Sequence, residues 1–475
     1  MVYPNWQHIQ GHTSSPLALP TYTVTATHND EIVATVKFAY VHNIRLSIKS
    51  SGHSYTGRST AANAILLALG EMKKMTFHKQ FNDGCSPPPT PSSLTATTAA
   101  VTVQPGVDFA MLYPFLDKHG YVVTGGGGST VGAAGGYVLG GGHSALSRSL
   151  GLATDNVLQF QLILPNSTTI SVTKCQHSDL WWALRGGGGG SFGVVTNLTY
   201  QVYTNPTFLS LRASYPMEGN VTNWLHAIVQ AQPYISNEWG CYYECLPGIG
   251  ALSRFASWKI SCLYYGNNQT HAKTAMAPIK EAFDLYPSTK STFVYQFHSS
   301  FWDWKKGDNG GDTTGIASIL TSRIFPPSAF GNVSNSSSSG GCNAKRLAYA
   351  LLDGVRQGVN IQIASLLGGQ AGNDHNNSVS NHMRNGLWHV VGAGGWLPEI
   401  EPDAMQVAVI EKIRMFGTVL RNLTPHSGAC KDMSFLNLNH LPSAVLLTSS
   451  LMFSFLFCLM FSYVLLCSLT FGRPE

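Results

Sequence analysis

Apolar and polar positions alternate in several short stretches of this chain, and each alternation predicts a half-buried strand. Ile44-Arg45-Leu46-Ser47-Ile48 is the first, followed by Ala100-Val101-Thr102-Val103 before a Gln-Pro-Gly turn. Leu158 to Leu164, the turn Pro165-Asn166-Ser167 and Ile170-Ser171-Val172 read as a hairpin. Asp108 through Lys118 reads as a helix that stops at Gly120, and Ser178 is placed to cap a second helix from Asp179 to Leu184 that ends at Gly186. Past residue 204 the pattern shifts to strands such as Leu209–Ser214 and Ile361–Leu366, separated by helical segments such as Thr222–Gln232. An α+β class follows, with a first lobe over 1–203, a sheet-based second lobe over 204–430 and an atypical tail over 431–475. With 475 residues the chain has ample length for two cores.

Three glycine-rich segments interrupt the first lobe. Lys49-Ser50-Ser51-Gly52-His53-Ser54-Tyr55-Thr56-Gly57-Arg58 sets a histidine in a tight loop directly after the first strand. Glycine there lets backbone N–H groups approach an anion closely, as a pyrophosphate would require, although an ordinary surface turn would read the same way. Ten of the eighteen residues from 125 to 142 are glycine. Val131, Tyr137, Val138 and Leu139 are interleaved with them, which a flexible Gly/Ser linker would lack. The third cluster is Gly186 to Gly190. No segment combines strand, Gly-x-Gly-x-x-Gly, helix and a following acidic residue, and none ends in Gly-Lys-Ser/Thr. A Rossmann dinucleotide site and a Walker nucleotide site are therefore disfavoured.

In this order the three segments resemble the FAD-linked oxidases of the vanillyl-alcohol oxidase type, in the berberine-bridge-enzyme-like branch abundant in fungi and plants. The resemblance covers roughly residues 20–200. It implies a PCMH-type, two-subdomain FAD-binding lobe and a substrate lobe built on an antiparallel sheet covered by helices. It also implies FAD held covalently from the His53 ring to the flavin 8α carbon. Ser50, Ser51, Gly52, Ser54, Thr130, Val131, Gly132, Gly135 and Val195 would line the cofactor. Many members add a second bond from a cysteine; Gly128 stands at that place, so His53 is expected to act alone. At the position of Val131 a larger residue hinders oxygen, so valine favours oxidase chemistry. Tyr55 matches an active-site tyrosine of carbohydrate-oxidising members and is the candidate base, with a packed structural aromatic as the other reading. His143 reads as structural.

The resemblance implies oxidation of an alcohol, a sugar or secondary metabolite, with hydride transfer to flavin N5 and O2 as the electron acceptor giving hydrogen peroxide. A small-molecule substrate and O2 are the expected partners. A flavin-binding product with an incomplete active site, or a membrane-tethered noncatalytic one, is the alternative.

Composition narrows the partners. Only 11% of residues are charged and the net charge is +5 without a dense Lys/Arg run, which gives nucleic-acid binding no support. Eight Asn-x-Ser/Thr sequons suit the secreted glycoproteins of this family, although a Ser/Thr-rich chain generates some by chance. The nine cysteines have no zinc spacing. Cys241, Cys245, Cys262 and Cys342 are open to disulfides or to free buried thiols.

The opening Met1–Gln7 lacks the basic and apolar regions of a signal peptide, and the N-terminus reads as truncated relative to the family. Leu423–Ala429 matches the closing motif of the family, but Cys430 stands where an aromatic is usual. Ala444 to Phe471 then runs 28 residues without a charge. That stretch reads as a membrane tail anchor or as a replaced C-terminus.

Overall fold

The computed structural model describes residues 19–54, 58–85, 98–245, 256–307, 317–331, 343–365, 368–374, 376–396 and 403–425. Strands β1 (Tyr22–Thr25), β2 (Arg45–Lys49) and β3 (Ala64–Ala68) form a parallel sheet in the order β1-β3-β2. Parallel strands need a crossover, and the helix Asn29–Val41 supplies the one from β1 to β2 on the far side of β3, burying Ile32, Val36 and Ala39. The loop 50–54 leaves the end of β2.

Strands β4 (Met75–Phe81), β5 (Thr98–Val103), β7 (Val157–Ile163), β8 (Thr169–Val172) and β9 (Val194–Gln201) make an antiparallel sheet in the order β4-β5-β9-β7-β8, and β6 (Tyr121–Val122) pairs with β10 (Tyr203–Thr204) as a short antiparallel ribbon. Ile163 and Val194 of this sheet pack with Ile32, Leu67, Leu69 and Met72, so the two sheets share a small core. The β7–β8 hairpin has the expected turn, with Ser167 at φ 68°. The helix Phe109–Lys118 starts where Asp108 Oδ1 accepts from the Met111 N–H at 2.9 Å, and Gly120 follows it at φ 78°.

The helix after β8 corrects the sequence reading. Ser178 is its first residue rather than its cap; His177, left-handed at φ 58°, holds the capping position without a side-chain bond. Cys85 and Cys175 form a disulfide across 90 residues, a pair that sequence spacing did not single out.

The second lobe is a seven-stranded antiparallel sheet in the order β14-β11-β13-β12-β16-β17-β15. Its strands are β11 (Phe208–Pro216), β12 (Trp239–Cys245), β13 (Ser257–Tyr265), β14 (Thr292–His298), β15 (Ala317–Phe325), β16 (Asn360–Ser365) and β17 (Trp388–Trp396). One face is covered by the helices Val221–Ala231, Ala344–Arg356 and Asp403–Leu423. Helix Ala344–Arg356 shows why: Leu347, Ala348, Leu351, Leu352 and Val355 recur at helical spacing and are all buried. Each buried Leu or Val contributes about 1.5–3 kcal/mol of transfer free energy.

The other face of this sheet turns toward the first lobe. Phe208 and Leu263, with Phe301 and Trp304, belong to the same hydrophobic core as Val101, Phe109, Leu198 and Tyr200. The two lobes are therefore packed through a continuous apolar interior. Cys241 and Cys262, opposite each other on β12 and β13, form a disulfide, while Cys245 is a buried free thiol. Burial pushes the Cys245 thiol up to about 12, against the pull of Lys259. Cys342, the Asn/Ser/Gly-rich stretch 332–341, the motif beyond Pro425 and the apolar stretch 444–471 lie outside the described residues. Among the described residues no helix is long and apolar enough to cross a membrane.

Candidate functional site

The first and second glycine segments meet. His53 Nε2 lies 2.8 Å from Thr130 Oγ1, joining residues 77 positions apart. Beside it the Gly132 N–H donates to Ser51 Oγ at 3.0 Å, and Ser50 Oγ donates to the Pro105 carbonyl at 2.6 Å. The segments approach so closely that a methyl group at Gly132 would lie 2.4 Å from Ser50 Oγ, and one at Gly135 would lie 2.8 Å from it. Gly52 sits at φ 94°, and a side chain there would strike Lys49. Ser54 turns the loop, donating its N–H to the Gly52 carbonyl at 2.9 Å and accepting from the Arg58 N–H at 3.1 Å.

Val131 is half-buried against the first-lobe core, and its carbonyl accepts from Phe109. Val195 pairs with Leu162 across β9 and β7, with its side chain in the hydrophobic core. Tyr55 lies outside the described residues.

The third glycine segment packs onto the second. The Gly188 N–H donates to the Leu139 carbonyl at 2.8 Å, and a methyl group at Gly189 would lie 3.0 Å from Gly136 Cα. Arg58 reaches across from the first segment to the Gly189 carbonyl and Ser191 Oγ, each at 3.4 Å.

Over these loops stands the inward face of the seven-stranded sheet. Tyr242 on β12 and His389 on β17 both stand opposite position 364 of β16 in the register, so the two side chains project on one face. The Tyr242 hydroxyl lies 3.7 Å from where a Gly127 side chain would begin, and the His389 ring centroid is 6.0 Å from that of His143. His143 Nδ1 and His389 Nε2 are sealed from solvent without a partner among the described residues. Burial, and then His143, pushes His389 down to about 3; burial likewise lowers His143. Both imidazoles are neutral at physiological pH, so His389 is a neutral hydrogen-bonding group rather than a proton carrier. Tyr137 donates its O–H to the His143 carbonyl at 2.9 Å, and burial holds that phenol protonated, well above its ordinary range.

Sequence reasoning singled out neither Tyr242 nor His389, because each is brought to the site by strand register. His143, read from the sequence as structural, is half-buried where the two lobes meet, and its neighbour His389 gives it a setting that the sequence did not show.

These features fit a flavin nucleotide: three glycine-rich backbones closed on one another, a histidine at their rim, and a mixed aromatic and polar ceiling. No group of three or more His, Cys, Asp or Glu side chains suited to a metal ion occurs among the described residues.

Residues 20–173 match the FAD binding domain. An uncharacterised FAD-linked oxidoreductase of Arthroderma benhamiae is 33% identical over 323 residues, covering 65% of this chain and 53% of that protein. The chain spans about half the length of such curated relatives. The VAO-type flavoprotein MtVAO713 from Myceliophthora thermophila C1 superposes with a TM-score of 0.75 at 24% identity, covering 88% of this chain and 74% of that one. Glucooligosaccharide oxidase from Acremonium strictum, described with a 6-S-cysteinyl, 8α-N1-histidyl FAD, superposes with a TM-score of 0.67 at 18% identity, covering 84% and 80%. The chain thus carries an FAD binding domain over residues 20–173, is similar in sequence to fungal FAD-linked oxidoreductases, and has the fold of the VAO-type flavoproteins.

Proposed function

We propose that this chain is an FAD-dependent oxidase that takes a small alcohol, a sugar or secondary metabolite, as its substrate. Bound FAD would accept the substrate hydride at N5 and pass the electrons to O2, giving hydrogen peroxide. Ser50, Ser51, Gly52, Ser54, Thr130, Gly132 and Gly135 would hold the cofactor. Val131 would leave the oxygen approach open.

The observation that carries this reading is the contact of His53 with Thr130. The Thr130 hydroxyl holds the imidazole at Nε2, and a covalent bond to the flavin would form from that ring. The two-loop clasp around that ring would fix its orientation, the part of the work that belongs to the protein. Gly128 offers no thiol, so the bond to His53 would be the single link.

On the substrate side, Tyr242 and His389 would form the ceiling. A neutral imidazole can donate one hydrogen bond and accept another, which suits a hydroxyl better than a carboxylate. Tyr55 remains the proposed base. The sequons and the family point to secretion as a glycoprotein.

The test is to express the chain, precipitate it with acid and look for flavin fluorescence that stays with the protein on a denaturing gel. Retained fluorescence that disappears in His53→Ala, together with peroxide release on an alcohol panel, is the expected result. A chain that never acquires flavin would return the reading to a noncatalytic product, and unchanged acid-stable flavin in His53→Ala would overturn the histidyl link.

A further inference from the structure

The third glycine segment is held from outside its own lobe. The helix Ser178–Leu184 ends in carbonyls that need donors; the Gly187 N–H supplies one to Ala183, and others come from Ser378, almost two hundred residues later. Its N–H lies 3.2 Å from the Trp182 carbonyl and 3.1 Å from that of Arg185, and its Oγ donates to the Ala183 carbonyl at 3.0 Å. The next residue, Val379, packs so tightly that a side chain at Gly186 would lie 2.4 Å from its backbone nitrogen. Gly186 is at φ 127°, so glycine is required there on two counts.

A charged network fixes this contact. Arg384, 2% exposed, makes a bidentate pair with Asp155 at 2.6 and 2.7 Å and also donates to the Ala371 carbonyl and Asn377 Oδ1. Asp155 in turn accepts from the Leu152 N–H at 2.9 Å. Arg185, the residue before the glycine run, donates to the Thr154 carbonyl at 3.0 Å and pairs with Asp374. Both arginines are buried, and bidentate Arg–carboxylate geometry is the kind that retains strength when desolvated. Leu152, Ala371, Val379 and Met383 close a small apolar core under the same segment.

We propose that residues 376–384 of the second lobe are the clasp of the cofactor turn, with Ser378 and Arg384 as positioning residues that hold Gly186–Gly190 in the flavin-binding geometry. This inference rests on the FAD reading above. Cofactor loading and docking of the second lobe are then one equilibrium, since the turn is shaped by a segment of the other lobe. Loosening the clasp releases the turn and weakens cofactor uptake while the five-stranded sheet stays intact.

The experiment compares the full chain with Ser378→Ala and Arg384→Gln. It reads amide hydrogen exchange in 186–193, exchange in 157–163 as an internal reference, and the flavin-to-protein ratio after incubation with FAD. Loss of one clasp hydrogen bond in Ser378→Ala is expected to speed exchange in the turn by about fivefold and to lower flavin occupancy, with the reference strand unchanged. Arg384→Gln is expected to do more of both. Should Arg384→Gln fail to fold, Ser378→Ala decides the matter alone when made in unglycosylated protein, because Ser378 also completes the Asn376 sequon and only there does the change remove a hydroxyl and nothing more. Turn exchange at the wild-type rate, or wild-type flavin occupancy in a variant whose turn has loosened, overturns the proposal. A wild-type chain that takes up no FAD overturns the oxidase reading and the cofactor part of this one, and the exchange comparison still decides whether the clasp exists.

Discussion

His53 Nε2 and Thr130 Oγ1 stand 2.8 Å apart and bind the first two glycine segments at the rim of the candidate site. If the ring is alkylated through Nδ1, Nε2 has no proton and must accept, so the Thr130 hydroxyl is the donor. Thr130→Val keeps the shape and removes the donor. Its expected effect is slower growth of acid-stable flavin, with a stability change of about 1 kcal/mol or less, since this bond is exposed. Thr130→Ser restores the donor and should recover the rate. A time course of flavin fluorescence in acid precipitates checks this, and equal rates in the valine variant and the wild type would remove Thr130 from the linkage.

Acid should weaken the fold through His389. Its imidazole is neutral when folded down to about 3, because burial and then His143 oppose its charge, whereas the unfolded chain protonates it near its ordinary 6.5. Between those values the unfolded state binds more protons. The stability contribution is present above the ordinary value and is lost as pH falls toward the folded one, by up to about 1.4 kcal/mol per pH unit. His143, lowered in the same direction by burial, adds to the slope. Urea midpoints at pH 7 and pH 5 should therefore diverge in the wild type and converge partly in His389→Gln. An undiminished slope in that variant would show that His389 is not the sealed group.

What the sequence disclosed followed chain proximity. The strands around Leu46, Phe160 and Leu211 came from alternation, and the helix Phe109–Lys118 from Asp108 and Gly120, because the residues that fix them lie within one turn or one hairpin. The two candidate loops were legible for a similar reason: Ser50–Ser54 and Thr130–Gly135 are each short, glycine-containing and rich in small residues. The ceiling and the clasp were not. Tyr242 reaches His389 through the register of three strands, and Arg384 meets Asp155 across 229 residues, distances over which no local pattern constrains the partner. The reading of Ser178 as a cap failed through a local competitor, since left-handed His177 took the position first.

The contact between the first two loops can be tested by filling it. A Cβ at Gly132 would meet Ser50 Oγ at 2.4 Å, and that hydroxyl cannot retreat without giving up its bond to the Pro105 carbonyl. Gly132→Ala is expected to destabilise the chain by about 1–3 kcal/mol, the range for overpacking a buried contact, and to lower flavin uptake. Ser50→Ala removes the obstructing oxygen, so the double variant should recover much of the loss, giving a coupling energy of roughly 0.5–3 kcal/mol in a double-mutant cycle. Gly136→Ala serves as the control: nothing lies within 4 Å of its added methyl, and its effect should stay within about 0.5 kcal/mol. Additive single effects at Gly132 and Ser50 would mean that the two loops do not press on each other, and the cradle drawn from their closeness would have to be abandoned.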